Sequence, residues 1–204
     1  MTEIEAQPRR GSTDDRRRAI AAAARTIIVE KGLEGLRTRD IADRVGINVA
    51  TLHYHVPSKE ALIGLVAETM KTEFRAQSLA RPRAHLPASE QLEHEFYDFR
   101  EMYTEQPEII AVMGELIERG RRDPVVKAAI QPLQHHWQKM VADIFAAGRD
   151  EGSFRPDIDP EPASVMFIGT LIAFCRSSDT SPDTYDRLCA ELRRAVVNPA
   201  LMKD

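Results

Sequence analysis

The sequence predicts an all-α protein, and three observations carry that expectation. Apolar residues recur at helical spacing through most of the chain, and no segment shows strand alternation long enough to compete. Residues 38–62, TRDIADRVGINVATLHYHVPSKEAL, read as two short helices about a glycine turn, with the start of a third helix behind them. Proline and glycine punctuation then divides the remainder into five further helices. The expected architecture is an N-terminal three-helix domain containing a helix-turn-helix, followed by a C-terminal helical domain.

Residues 1–13 are polar, contain Pro8 and Gly11 and have no period. They read as a disordered arm in which Arg9 and Arg10 reach either phosphates or solvent. Asp14 or Asp15 caps a helix running to about Lys31, with Gly32 just past its end and Ile20, Ala23, Ala24, Ile27 and Ile28 on its inner face. Arg16, Arg17 and Arg18 stand near its start, against the preference of the helix dipole, which fits an external anionic partner or a solvated cluster.

Thr38 is the expected N-cap of the next helix, whose apolar stripe is Ile41, Ala42 and Val45. Gly46 supplies the positive φ at which that helix stops. Asn48 caps a second helix from Val49 to about His55, with Leu52 facing inward, and Pro57 ends it. Ser58 caps a longer helix to about Ala80, carrying Leu62, Leu65, Val66, Met70 and Phe74. The break RPRAHLP at residues 81–87 marks a hinge.

Five helices follow, over about 89–103, 107–120, 124–149, 160–176 and 181–197. Their expected inward residues include Leu92, Phe96, Phe99 and Tyr103 in the first, and Ile109, Ile110, Met113, Leu116 and Ile117 in the second. The third contributes Val125, Ala129, Leu133, Trp137, Met140, Val141 and Ile144. A loop at 152–161 closes with an Asp159 cap and Pro160 at the first helical position. The helix at 160–176 is apolar nearly all round and so must be covered on every side, with Gly169 and Ala173 permitting close approach of a partner helix.

Composition bounds the function. With 29% charged residues among 204, the chain is a soluble protein of one or two domains. Cys175 and Cys189 form neither a disulfide framework nor a zinc site, and no signal peptide or membrane-spanning run is present, so a reducing cytoplasm is the expected location. The net charge of −4 divides unevenly. Residues 1–60 carry 11 Lys/Arg against 9 Asp/Glu, a net of +2, whereas residues 61–204 carry 17 against 23, a net of −6. The basic surplus sits on the half with the helix-turn-helix, where attraction to phosphate is useful.

Thr38-Arg39, Ile41-Ala42, Val45-Gly46-Ile47, Thr51-Leu52, His55 and the run Pro57-Ser58-Lys59-Glu60-Ala61-Leu62 closely resemble the DNA-binding domain of TetR-family transcriptional regulators. The chain departs from the family pattern at His53, where tyrosine is usual, and at Val56, where phenylalanine is usual. The resemblance implies a sequence-specific regulator, by default a repressor, released from an inverted-repeat operator by a small-molecule ligand. It implies a helix-turn-helix domain over 14–60 and a helical ligand-binding and dimerisation domain over 61–204, joined by the helix at 58–80.

The same resemblance matches Thr38, Thr51, His55 and Lys59 to phosphate-contacting positions, a role suited to hydroxyl, imidazole and ammonium groups. Arg39 is the expected base reader, because a guanidinium pairs bidentately with guanine. Val49 and Ala50 open the recognition helix and offer only apolar contact, to a thymine methyl; His53 and Tyr54 lie beside them. For the ligand pocket the expected lining is Phe96, Tyr97, Arg100, Met113, Ile117, Trp137, Met140 and Phe167. For the interface of a homodimer it is Phe167, Ile168, Gly169, Leu171, Ile172, Ala173 and Cys175, with Leu188 and Leu192 from the last helix.

Other chemistries find no constellation. There is no Gly-rich phosphate loop and no nucleophile elbow, and His94-Glu95 lacks the second histidine of a metalloprotease because residue 98 is Asp. His135 and His136 are adjacent, so they point about 100° apart on a helix and chelate poorly; neither a metal nor a cofactor is expected. A non-specific architectural DNA protein fits poorly with so small a basic surplus. A regulator answering a protein partner stays open.

Overall fold

The computed structural model describes residues 13–201, and among them the chain is nine α-helices with no β-sheet. They are α1 (Thr13–Lys31), α2 (Thr38–Val45), α3 (Val49–His55), α4 (Lys59–Ala80), α5 (Ala88–Glu105), α6 (Pro107–Gly120), α7 (Pro124–Glu151), α8 (Pro160–Phe174) and α9 (Pro182–Val196). The all-α expectation therefore holds. The arm expected at 1–13 lies outside the described residues except for Thr13, which opens α1.

Local chemistry sets most boundaries. Asn48 Oδ1 accepts from the Thr51 amide at 2.7 Å and Ser58 Oγ from the Ala61 amide at 3.1 Å, so both expected caps form. Asp123 and Ser181 cap α7 and α9 in the same way, each followed by a proline whose missing N–H is no loss in the first turn. Three caps differ from expectation. Arg37 occupies the N-cap of α2 with no side-chain bond, and Thr38 is already helical. Asp14 and Asp15 lie in the first turn of α1, where their charge suits the dipole. Asp159 precedes α8 without bonding its amides.

Burial divides the apolar side chains into two cores. The first joins α1 to α4 with α6 and the beginning of α7; Ile20, Ile27, Ile41, Leu52, Val66 and Met70 pack there with Val112, Leu116 and Ile130. The second joins α5, the later part of α7, α8 and α9 through Leu92, Phe99, Phe145, Phe167, Leu171 and Tyr185. Helix α7 belongs to both, giving Val126, Ile130 and Leu133 to one and Val141, Ile144 and Phe145 to the other, with Pro132 inside it. The Tyr185 hydroxyl donates to the Phe96 carbonyl at 2.7 Å and fastens α9 to α5.

One burial expectation, that of Val125, is corrected. Val125 is 45% exposed, because Val126 takes the inward position at the start of α7. Helix α8 is not covered all round by its own chain. Phe167, Leu171 and Phe174 are buried, but Val165 and Met166 are 57% and 40% exposed and Gly169 and Ala173 face solvent. None of the helices described is long and apolar enough to cross a membrane.

One close approach tests the packing at the end of α7. A Cβ on Gly148 would fall 2.1 Å from the buried ring of Phe154, whereas one on Gly114 meets nothing within 4 Å. Gly148→Ala should lower the unfolding free energy by about 1–3 kcal/mol, and Gly114→Ala should leave it unchanged or raise it by up to ~1 kcal/mol. The denaturation midpoints of the two variants check this.

Candidate nucleic-acid interface and cavity

The geometry of α2 and α3 starts from two residues. Gly46 closes α2 with φ 71°, a conformation that favours glycine, and its amide bonds back to the Asp43 carbonyl. Leu52, fully buried, is the single buried residue of α3. With that side turned inward, Val49, Ala50, His53 and Tyr54 are exposed, Tyr54 to 83%, while Thr51 and His55 are half-buried. The expected reading residues thus share the outer surface of one short helix. Thr38 and Arg39 stand exposed on the first turn of α2, and Lys59 exposed on the first turn of α4.

Several basic side chains nearby are already spent. Lys31 pairs with Asp40 at 2.9 Å, Arg44 with Glu30 at 3.0 Å and Arg25 with Glu73 at 2.5 Å. Arg17 donates to the His55 carbonyl at 3.3 Å and approaches Glu68 at 3.8 Å, tying the end of α3 to α1 and α4. Arg18 pairs with Asp15. Of the three arginines that suggested an outside anionic partner, two therefore have internal ones. Arg37, Arg39 and Lys59 form no ion pair among the described residues, so their charges remain available to phosphates.

Between the two cores lies a cavity of about 710 Å³. Of the residues expected to line it, Met113, Ile117, Trp137 and Met140 do so; Phe96, Tyr97, Arg100 and Phe167 do not. Phe96 and Phe167 pack on each other inside the second core, with ring centroids 5.2 Å apart. Tyr97 is 55% exposed, and Arg100 turns outward to Asp186. The wall also takes Phe74 from α4, Phe99 and Met102 from α5, and Val165, Ile168, Gly169 and Ile172 from α8.

Sequence reasoning missed the polar side of this cavity. Glu95 and Asp98 of α5 and Arg83 of the α4–α5 connection are all buried and line it. Arg83 lies 3.0 Å from Glu95 and 2.7 Å from Asp98, and the Trp137 indole N–H donates to Glu95 at 3.4 Å. Burial pushes the Glu95 carboxyl up to about 7, helped by the neighbouring Asp98 charge and outweighing Arg83 and the Trp137 bond. A signal was present: Glu95 falls on the inward stripe Leu92, Glu95, Phe96, Phe99, at i, i+3, i+4 and i+7. His135 and His136 are exposed, and no group of three or more metal-ligating side chains occurs among the described residues.

Two family models fall on the two halves of this architecture. Residues 20–66 match the bacterial regulatory proteins of the tetR family, and residues 111–195 match the tetracyclin repressor-like C-terminal domain. The chain belongs to the TetR family. As a TetR-family protein it is a DNA-binding transcriptional regulator. It is 27% identical over 153 residues to the transcriptional repressor KstR2 of Mycobacterium tuberculosis, covering 73% of this chain and 74% of that one. Among solved structures, a chain from Saccharomonospora viridis in complex with choline superposes with a TM-score of 0.76 at 21% identity, covering 91% of this chain and 99% of that one. AibR in complex with isovaleryl coenzyme A and operator DNA superposes with a TM-score of 0.72 at 21% identity, covering 90% and 99%.

In this TetR-family chain the raised Glu95 pKa has a sign that can be tested. A carboxyl whose pKa rises on folding favours the folded state while protonated, so its contribution is full below the unfolded value and is lost as pH rises to about 7. The stability of the native protein relative to Glu95→Gln should therefore fall across that window and level off above it. Parallel urea denaturation of the two proteins at several pH values measures the difference.

Proposed function

We propose that the chain is a repressor released from an inverted-repeat operator by a small molecule. The observation that carries the reading is α3, which turns Leu52 inward and presents Val49, Ala50, His53 and Tyr54 to solvent within the segment that matches the family's N-terminal domain. A two-fold dimer offers two such helices, which fit successive major grooves when spaced by roughly 34–36 Å. Residues 14–60 serve as the DNA-binding domain and residues 61–204 as the ligand-binding and dimerisation domain, with α4 joining them. Thr38, Thr51, His55 and Lys59 contact phosphates, Arg39 reads a base edge, and Val49 and Ala50 offer apolar contact. The protein works in the cytoplasm, a reading supported by its two free cysteines.

The ligand occupies the cavity between the cores, whose volume suits a drug-sized molecule. That relatives of the fold are solved with choline and with isovaleryl coenzyme A supports a small-molecule trigger. The dimer forms on the open face of α8, supported by its exposed Met166 and Ala173, which adjoin the cavity-lining Val165, Ile168, Gly169 and Ile172. Cys175 and Leu188 are half-buried and pack against the second core. Phe167, Leu171 and Leu192, expected at the interface from sequence, are buried in the subunit's own core and are withdrawn from it.

Selection of bound sequences from random duplex DNA, with the mass in solution measured alongside, should return an inverted repeat bound by a dimer. Enrichment of no sequence would sink the proposal. Arg39→Ala should relax preference at one base position with a loss of about 1–3 kcal/mol, while Lys59→Ala should weaken all sequences alike and lower the salt slope by about 1. A change of preferred sequence in Lys59→Ala would reverse these roles. Ala173 is exposed on α8 and lies outside the cavity lining, so Ala173→Glu should keep the helix content yet shift the protein from dimer to monomer in light scattering.

A further inference from the structure

The charges around the polar side of the cavity do not balance. Two guanidinium groups, Arg81 and Arg83, stand among three carboxylates, Glu95, Asp98 and Glu101. Asp98 takes both guanidinium groups, Arg81 at 2.5 Å and Arg83 at 2.7 Å. Glu101 takes Arg81 at 2.5 Å and the Gln77 amide at 2.8 Å. Glu95 is left with the poorest set. Its contact with Arg83 is close but not aligned as a hydrogen bond, so Oε1 is buried with no bonded donor among the described residues, and Oε2 has only the long indole bond. Glu95 is 5% exposed and faces the cavity, whose walls around it are apolar and aromatic: Phe99, Met102, Met113, Ile117, Leu133 and Trp137.

Resting on the reading of this cavity as the ligand site, we propose that its ligand is a cation with an apolar body, whose ammonium-type head binds Glu95 beside the Trp137 and Phe99 rings. Such a head supplies the missing positive charge and a donor for Oε1, and the aromatic faces favour it further. An anion would have to sit beside two buried carboxylates; Arg83, although its Nη1 is also buried without an aligned acceptor, is ion-paired with both of them. A neutral body would leave the excess carboxylate as it is. The remaining charged groups facing the cavity, Lys71 and Arg75 from α4 and His136 from α7, are exposed and screened by solvent. In the empty cavity a proton on Glu95 neutralises the excess, and the burial that raises its pKa favours that proton; the ligand cation takes its place. From Glu95, which holds the bound head, one ion pair leads to Arg83 and two more, through Asp98, lead to Arg81, the C-cap residue of α4, so occupancy bears on the helix that leads to the DNA-binding unit.

Trp137 is the only tryptophan in the chain and lines the cavity, so its emission reports occupancy directly. The full-length protein is titrated with octylammonium, octanol and octanoate, which share one apolar body and differ in head charge. Octylammonium should bind at least about tenfold more tightly than the other two, and Glu95→Gln should remove that preference while leaving octanol unchanged. In the unaltered protein, octylammonium affinity should rise as pH passes upward through about 7, because the proton on Glu95 competes with it, whereas octanol affinity stays flat. This second readout decides the matter even if the variant folds poorly. Equal binding of octanol and octylammonium overturns the cation preference and leaves the cavity reading standing. Tightest binding of octanoate overturns it in favour of Arg83 as the anchor. No response of Trp137 to any of the three overturns the cavity reading together with the proposal.

Discussion

The sharing of α7 between two hydrophobic cores is the constraint on which the rest of this molecule depends. The nine helices among the described residues do not cover all their apolar faces in one cluster, and burial resolves into two. Only α7 spans both at length, as 28 residues whose first core set ends at Leu133 and whose second begins at Val141. Two packed cores meeting along one helix leave a seam, and the cavity occupies that seam. Its walls come from α4, α5, α6, α7 and α8, so a molecule inside it touches both cores at once. The polar group there joins the end of α4 to α5 through Arg81, Asp98 and Glu101 and to α7 through Glu95 and Trp137.

Much of the fold was legible because it is written in local chemistry. Asn48, Ser58, Gly46 and the prolines opening α6 to α9 act over three or four residues, and a cap or left-handed turn needs no knowledge of the rest of the chain. Thr38 misled because a threonine in that setting has two acceptable positions one residue apart, and sequence does not choose between them. The candidate site was legible on α3, where one inward residue, Leu52, dictates the outward ones.

The cavity and the interface were only half legible, for a common reason. Helical period says which residues face inward, not whether what they face is packed protein, empty space or another subunit. Met113 and Trp137 face the void, whereas Phe96 and Phe167 have the same pattern and meet each other. On α8, apolar residues run right round the helix, and two of those assigned to a partner, Phe167 and Leu171, turn out to be needed at home. Glu95 escaped notice because a charge inside an apolar stripe was read by its type rather than by its position.

The shape of α3 has a consequence for the history of such a protein. One buried leucine anchors the helix, and Arg17 holds its last carbonyl from behind, so the outward residues carry almost none of the load of folding. Substitutions at Val49, Ala50, His53 or Tyr54 can accumulate without threatening the core, and the cavity lies in another part of the chain. A duplicated copy could therefore acquire a new set of genes while still answering the old signal, or keep its genes and learn a new signal. The two kinds of drift are separable because the fold places them on surfaces that share no side chain.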